Sequence, residues 1–125
     1  MTSVVSVAVE AALAAGKIQA EHADKIQNIS EKSGLRGDVV TEVDLLCEKE
    51  IIGRIQKVFP SDAILAEESG ETLGNSNKKW IIDPLDGTTN FLRGVPYFCI
   101  SIACLYAGKG AVGVVLDPLR DDLFT

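Results

Sequence analysis

Two carboxylates three residues apart, followed at once by a glycine and two threonines, form the part of this chain best suited to chemistry. They lie in Trp80-Ile81-Ile82-Asp83-Pro84-Leu85-Asp86-Gly87-Thr88-Thr89-Asn90-Phe91. Pro84 fixes its own φ and biases Asp83 toward extended backbone, and Asp86-Gly87 is a turn pair, so the spacing predicts a strand that ends in acid and bends to bring Asp83 and Asp86 to one side. Paired carboxylates suit a hard cation. Gly87, Thr88 and Thr89 open a predicted short helix through Leu92, whose free N–H groups and Thr88 hydroxyl suit phosphate. Asp-Pro and Asp-Gly are also ordinary turn dipeptides, and by themselves leave a plain turn open. The chain holds its own control: Asp117-Pro118-Leu119 repeats the start of the motif but runs into Arg120, without a second acid or a Gly-Thr start, and reads as a turn.

Other acids also stand where regular elements begin or end. Thr41-Glu42-Val43-Asp44 resembles a capping box opening a helix that runs to about Phe59, with Leu45, Ile52, Ile55 and Phe59 on one face and Pro60 as the stop. Asp44 would then lie in a first turn, stabilised by the helix dipole and free to face a neighbouring cation. Ala63-Ile64-Leu65-Ala66 is a short buried strand ending in Glu67-Glu68, for which a solvated strand end is the plain alternative.

The remaining elements form a frame. Apolar residues from Val4 to Ile29 recur at helical spacing and predict one long amphipathic helix, with His22 solvated in its polar half and without a role. Ser30 to Asp38 and Glu71 to Lys79 are polar and read as loops. Tyr97 to Tyr106 is a nearly continuous apolar run, hence a central strand; Gly108-Lys109-Gly110 turns it back into Ala111 to Leu116, and another strand begins at Leu123-Phe124. Together these predict two helices on a largely antiparallel sheet of about five strands.

Composition narrows the function. At 125 residues and 46% hydrophobic the chain can bury a core. A net charge of −6 with scattered Lys and Arg argues against a nucleic acid polymer as partner, and an acidic protein that binds phosphate needs metal. Cys47, Cys99 and Cys104 have no CxxC spacing and only His22 could join them, so neither a zinc site nor a disulfide framework is expected, and a reducing cytoplasm fits. No apolar run reaches the ~18 residues of a membrane span. The small-residue N-terminus lacks the basic flank of a signal peptide.

Lys32-Ser33 through Asp38, Val40-Thr41-Glu42-Val43-Asp44, Ala66-Glu67-Glu68-Ser69, the motif from Trp80 to Phe91, Pro96 and Ser101-Ile102-Ala103, in this order, closely resemble the inositol monophosphatase family. The resemblance implies an α+β layered sandwich and a Mg²⁺-dependent, lithium-sensitive phosphomonoesterase acting on a small phosphorylated polyol or sugar. Inositol 1-phosphate is the foremost substrate, with histidinol phosphate, fructose bisphosphate or a 3′-phosphoadenosine compound as alternatives. It implies one Mg²⁺ held by Glu67, Asp83 and the Leu85 carbonyl and a second by Asp83 and Asp86. Glu67, Thr88 and Asp44 would be catalytic, the last two orienting the attacking water, with the Gly87 and Thr88 amides on phosphate. Lys32 is a candidate contributor from a loop that closes over the site in family members, and a homodimer is a further expectation. Members are roughly twice as long and carry a further aspartate in a Trp-Asp-x-Ala-type segment that this chain does not contain. Residues 1–125 are therefore expected to be the N-terminal portion of such a domain, without its C-terminal half; if they were complete, a non-catalytic metal-binding or interaction fragment would be the alternative.

Overall fold

The structure is a computed structural model, and it describes residues 3–30 and 34–125. Helix α1, Val4–Gln27, begins where the Ser3 hydroxyl accepts the Ser6 N–H at 3.1 Å. Helix α2 spans Leu35–Val58. Six strands follow: β1 Ala63–Ala66, β2 Gly70–Thr72, β3 Lys78–Asp86, β4 Cys99–Tyr106, β5 Lys109–Asp117 and β6 Asp122–Phe124, with the short helix α3, Thr88–Arg93, between β3 and β4. They form one sheet in the order β2-β1-β3-β4-β5-β6, antiparallel except for β1 beside β3. The sheet is thus mostly antiparallel, as expected, with one strand more than predicted. That strand is β2, which folds back on β1 from the segment read as a loop.

Rows of buried side chains cross the sheet in register. Ile64, Trp80, Cys104 and the partly buried Val112 form one row, and Ala66, Ile82, Ile102 and Val114 the next. Both helices cover this face: α1 packs on β4 and β5, and α2 on β3. Leu65, Ile81 and Val115, one residue out of phase, lie on the uncovered face. Gly16 lets α1 lie close to the sheet, because a Cβ there would come within 2.7 Å of Leu116 Cδ2 and 3.2 Å of Pro118 Cβ.

Three expectations need correction. Helix α2 starts at Leu35 rather than Thr41, so Thr41 and Asp44 are interior, and the Thr41 hydroxyl donates to the Gly37 carbonyl at 3.1 Å instead of capping. Tertiary contacts override the weak glycine start: Val40 is in the core, and the Arg36 guanidinium donates to the carbonyls of Ile29 (2.8 Å) and Leu92 (3.1 Å). The buried stripe of α2 is accordingly Val40, Val43, Cys47, Ile51 and Ile55, and Leu45 faces water. His22 is buried rather than solvated, with its Nδ1 donating to the Ile18 carbonyl at 2.8 Å and Nε2 4.0 Å from Glu42.

Candidate active site

The single parallel pairing decides where the acids go. Because β1 and β3 run the same way, with Ala66 opposite Ile82, the residues that follow, Glu67 and Asp83, emerge side by side at one edge of the sheet. Neighbouring strands lie about 4.8 Å apart, whereas an antiparallel pairing would send the two acids to opposite edges. Helix α2 passes over the same edge and contributes Asp44. The half-buried Asp44 carboxyl is pushed up to about 6, first by burial and then by the charges of Glu68, Glu67, Asp83 and Glu48. Glu67 is also raised, by loss of water around its carboxyl, by the charge of Asp83 and a hydrogen bond to it, and by Glu68 and Glu48. Three elements thus concentrate negative charge at one spot.

The sequence motif continues differently from expectation. Strand β3 does not end at Ile82 but runs through Pro84 to Asp86, with its register to β4 broken between Asp83 and Asp86. Proline, which has no N–H to give a ladder, is tolerated at such a bulge. Past the break, Asp86 pairs with Cys99, whose thiol donates to Asp86 Oδ2 at 3.9 Å; burial and the charges of Asp86 and Asp83 push that thiol up to about 11. Gly87 takes a left-handed φ of +94° and caps α3, and a Cβ there would come within 2.8 Å of the Tyr97 carbonyl oxygen. Leu85 is buried, and its carbonyl accepts the Thr88 hydroxyl at 3.2 Å. Asp44, Glu67, Glu68 and Asp83 are therefore gathered, Asp86 and Thr88 lie beyond the bulge, and Lys32 is outside the described residues.

The donor set suits a hard cation in chemistry, being carboxylates with an adjacent carbonyl. Asp44 Oδ1 and Asp83 Oδ1 are buried with no hydrogen-bond partner, a costly state for carboxylate oxygens that an ion would relieve. Among the described residues, no three Asp, Glu, His or Cys side chains are drawn tightly enough to hold an ion as they stand.

The raised Asp44 carboxyl fixes the sign of a pH effect. Between about pH 4 and pH 6 the folded chain keeps a proton on Asp44 that the unfolded chain has released, so stability falls as pH rises through that window. In chelator-treated protein, stability at pH 7.5 should be about 1 kcal/mol below that at pH 5, allowing for partial solvation. Urea unfolding at the two pH values measures it; equal or greater stability at pH 7.5 would count against the crowded acids.

The profile of the inositol monophosphatase family matches residues 1–125. The chain belongs to the inositol monophosphatase family. Similar proteins include Nus factor SuhB of Pseudomonas aeruginosa, 41% identical over 128 residues in an alignment covering 100% of this chain and 47% of that protein. Nus factor SuhB of Escherichia coli is 41% identical over 126 residues with the same coverage. Among solved structures, the extragenic suppressor protein suhB from Bartonella henselae superposes with a TM-score of 0.86 at 38% identity, over 98% of this chain and 47% of that one. Inositol monophosphatase from Anabaena (Nostoc) sp. superposes with a TM-score of 0.79 at 41% identity, over 96% and 42%. The chain thus spans about half the length of the curated relatives it matches.

Two buried polar residues near the acids of this inositol monophosphatase-family chain escaped the sequence reading, Glu48 on α2 and Gln19 on α1. Each sits within an apolar stripe of its helix, and a polar side chain at core spacing was the available signal.

Proposed function

We propose that the protein to which these residues belong is a Mg²⁺-dependent phosphomonoesterase acting on a small phosphorylated polyol or sugar, with inositol 1-phosphate as the foremost substrate. The observation that carries this is the parallel β1–β3 edge, where Glu67 and Asp83 stand side by side under Asp44 in a chain of this family. In this reading Glu67, Asp83 and the Leu85 carbonyl hold one ion, and Asp83 with Asp86 a second. Bound Mg²⁺ supplies neutralising charge for phosphate and lowers the pKa of an attacking water.

The chain's own residues then orient the reactants. Thr88 has its hydroxyl proton committed to the Leu85 carbonyl, which leaves its oxygen to accept from a water, and the free Asp44 Oδ1 faces the same crowded edge as a second acceptor. The first intrahelical bond of α3 runs from Phe91 N–H to the Gly87 carbonyl, so the amides before it, including that of Thr88, remain free for phosphate oxygens. Glu67 completes the catalytic set. The three cysteines are free thiols, which suits the cytoplasm. Among the described residues no helix is long and apolar enough to cross a membrane.

The test is phosphate release by the whole protein with and without Mg²⁺, on inositol 1-phosphate, histidinol phosphate, fructose bisphosphate and a 3′-phosphoadenosine compound. The highest kcat/KM is expected for inositol 1-phosphate, with loss of nearly all turnover in chelator. A higher value for another member of the panel moves the substrate assignment there, and full turnover in chelator would end the metal reading. A second reading follows from the relatives named Nus factor, in which the protein serves in that capacity without hydrolysis. A substitution that removes a metal ligand should then leave its cellular role intact.

A further inference from the structure

We propose that Glu48 and Gln19 are positioning residues, each reaching from one helix to hold one of the two acid-bearing segments in place: Glu48 the Glu67–Ser69 turn and Gln19 the Asp83–Asp86 bulge. The inference rests on the metal-site reading above and assigns the site a support that the motifs themselves do not contain.

Glu48 is 2% exposed and takes part in none of the ion pairs among the described residues. Its carboxylate instead receives three donors from the turn after β1. Oε2 accepts the Glu68 N–H at 3.0 Å, and Oε1 accepts the Ser69 N–H at 2.9 Å together with the Ser69 hydroxyl. Burying a charge among Asp44, Glu67 and Glu68 is unfavourable, and a neutral glutamine would lessen the repulsion. Glutamine, however, can accept at only one terminal atom and would turn an NH₂ group toward one of the donors. An ionised carboxylate satisfies donors at both oxygens, and such charge-assisted bonds are short and strong. The residue immediately before these anchored amides is Glu67.

Gln19 is fully buried on α1. Its Nε2 donates to the Pro84 carbonyl at 2.7 Å and to the Cys99 carbonyl at 3.4 Å, across 65 and 80 residues of sequence. These carbonyls flank the place where β3 and β4 lose register, so the amide substitutes for ladder hydrogen bonds that the bulge interrupts. Pro84 lies between Asp83 and the Leu85 carbonyl. The segments that would repel each other are thus each tied to a helix, and their separation is set before any ion arrives. Groups that orient metal ligands in this manner typically alter metal affinity by about 10–100-fold when removed.

The experiment uses Glu48→Gln and Gln19→Met in the full protein, both close to the original side chains in size. Mg²⁺ affinity is read by calorimetry, substrate KM and kcat at saturating Mg²⁺ by phosphate release, and amide exchange in metal-free protein by NMR. Each variant should weaken Mg²⁺ binding about tenfold or more while KM at saturating Mg²⁺ stays within about twofold. The Glu68 and Ser69 amides should exchange at least about tenfold faster in Glu48→Gln and at wild-type rates in Gln19→Met. If Glu48→Gln does not fold, Ser69→Ala, which removes one donor only, should weaken Mg²⁺ binding several-fold. Reduced thermal stability with Mg²⁺ affinity within twofold of wild type would overturn the inference, since that is what purely structural residues would produce. Unchanged exchange at Glu68 and Ser69 in Glu48→Gln would overturn the Glu48 half by itself. Wild-type protein that binds no Mg²⁺ would instead strike the metal-site reading, with the exchange rates still deciding whether the turn is clamped.

Discussion

Asp83→Asn should cut Mg²⁺-dependent phosphate release by the whole protein roughly 10²–10³-fold, because the proposed bridging ligand would lose its charge and metal-assisted steps carry several kcal/mol of transition-state stabilisation. The same change should stabilise the metal-free protein. Asp83 stands beside Glu67, and its charge contributes to the raised carboxyls of both Glu67 and Asp44. Removing that repulsion is worth about 1 kcal/mol at a partly solvated site, or a few degrees in Tm. Phosphate release and calorimetry in chelator measure the two halves. Opposite signs distinguish a residue kept for its chemistry from one kept for folding; near-normal turnover would remove Asp83 from the metal site.

Trp80→Ala is expected to cause the largest loss of stability, about 3–5 kcal/mol from the lost burial and the cavity together. Trp80 is fully buried, its ring lies 6.1 Å from that of Phe59, and its Nε1 donates to Asp62 Oδ2 at 2.8 Å. Asp62 is itself buried, with Ser76 Oγ donating to its Oδ1 at 2.6 Å and Lys78 Nζ in an ion pair with it at 3.6 Å. Truncating the indole would leave that carboxylate short of a partner, adding about 1–3 kcal/mol. Domains of this size are stable by about 5–15 kcal/mol, so the variant should be largely unfolded at 37 °C or close to it. Urea unfolding followed by far-UV circular dichroism would show it, and a midpoint close to wild type would contradict the packing described. Asp83 lies three residues further along the same strand, so the loss would reach the site as well.

Much of this molecule could be read before folding, in a manner that depended on residue type. Runs such as Ala63–Ala66 and Cys99–Tyr106 are strands because they are almost wholly apolar, although the second begins two residues after the expected Tyr97, and Glu67 marks the end of the first. Pairing was not legible. Nothing in Ala63–Ala66 says that it lies parallel to β3, yet that choice alone puts Glu67 beside Asp83. The start of α2 differs from expectation because Thr41-x-x-Asp44 has cap chemistry, while the contacts that extend the helix back to Leu35 come from Ile29 across the intervening loop and from Leu92, remote in sequence. The burial of Gln19 and Glu48 is not legible for a related reason. A polar side chain can join a buried stripe once a distant carbonyl accepts from it or distant amides donate to it, and such partners cannot be found by periodicity.

The approach of Gly16 to Leu116 and Pro118 also bears on how the chain is made. Helix α1 leaves a ribosome ahead of the strands it rests on, which follow about a hundred residues later, roughly 5–20 s at ordinary synthesis rates. In that interval its available large partner is α2, against which the Cys47 thiol already meets the Ala15 carbonyl at 3.5 Å in the finished fold. A nascent helical hairpin would therefore wait with its alanine-rich side bare until β4 and β5 arrive. Helix α1 is thus made before the sheet it docks on, and a holding chaperone would find its target there.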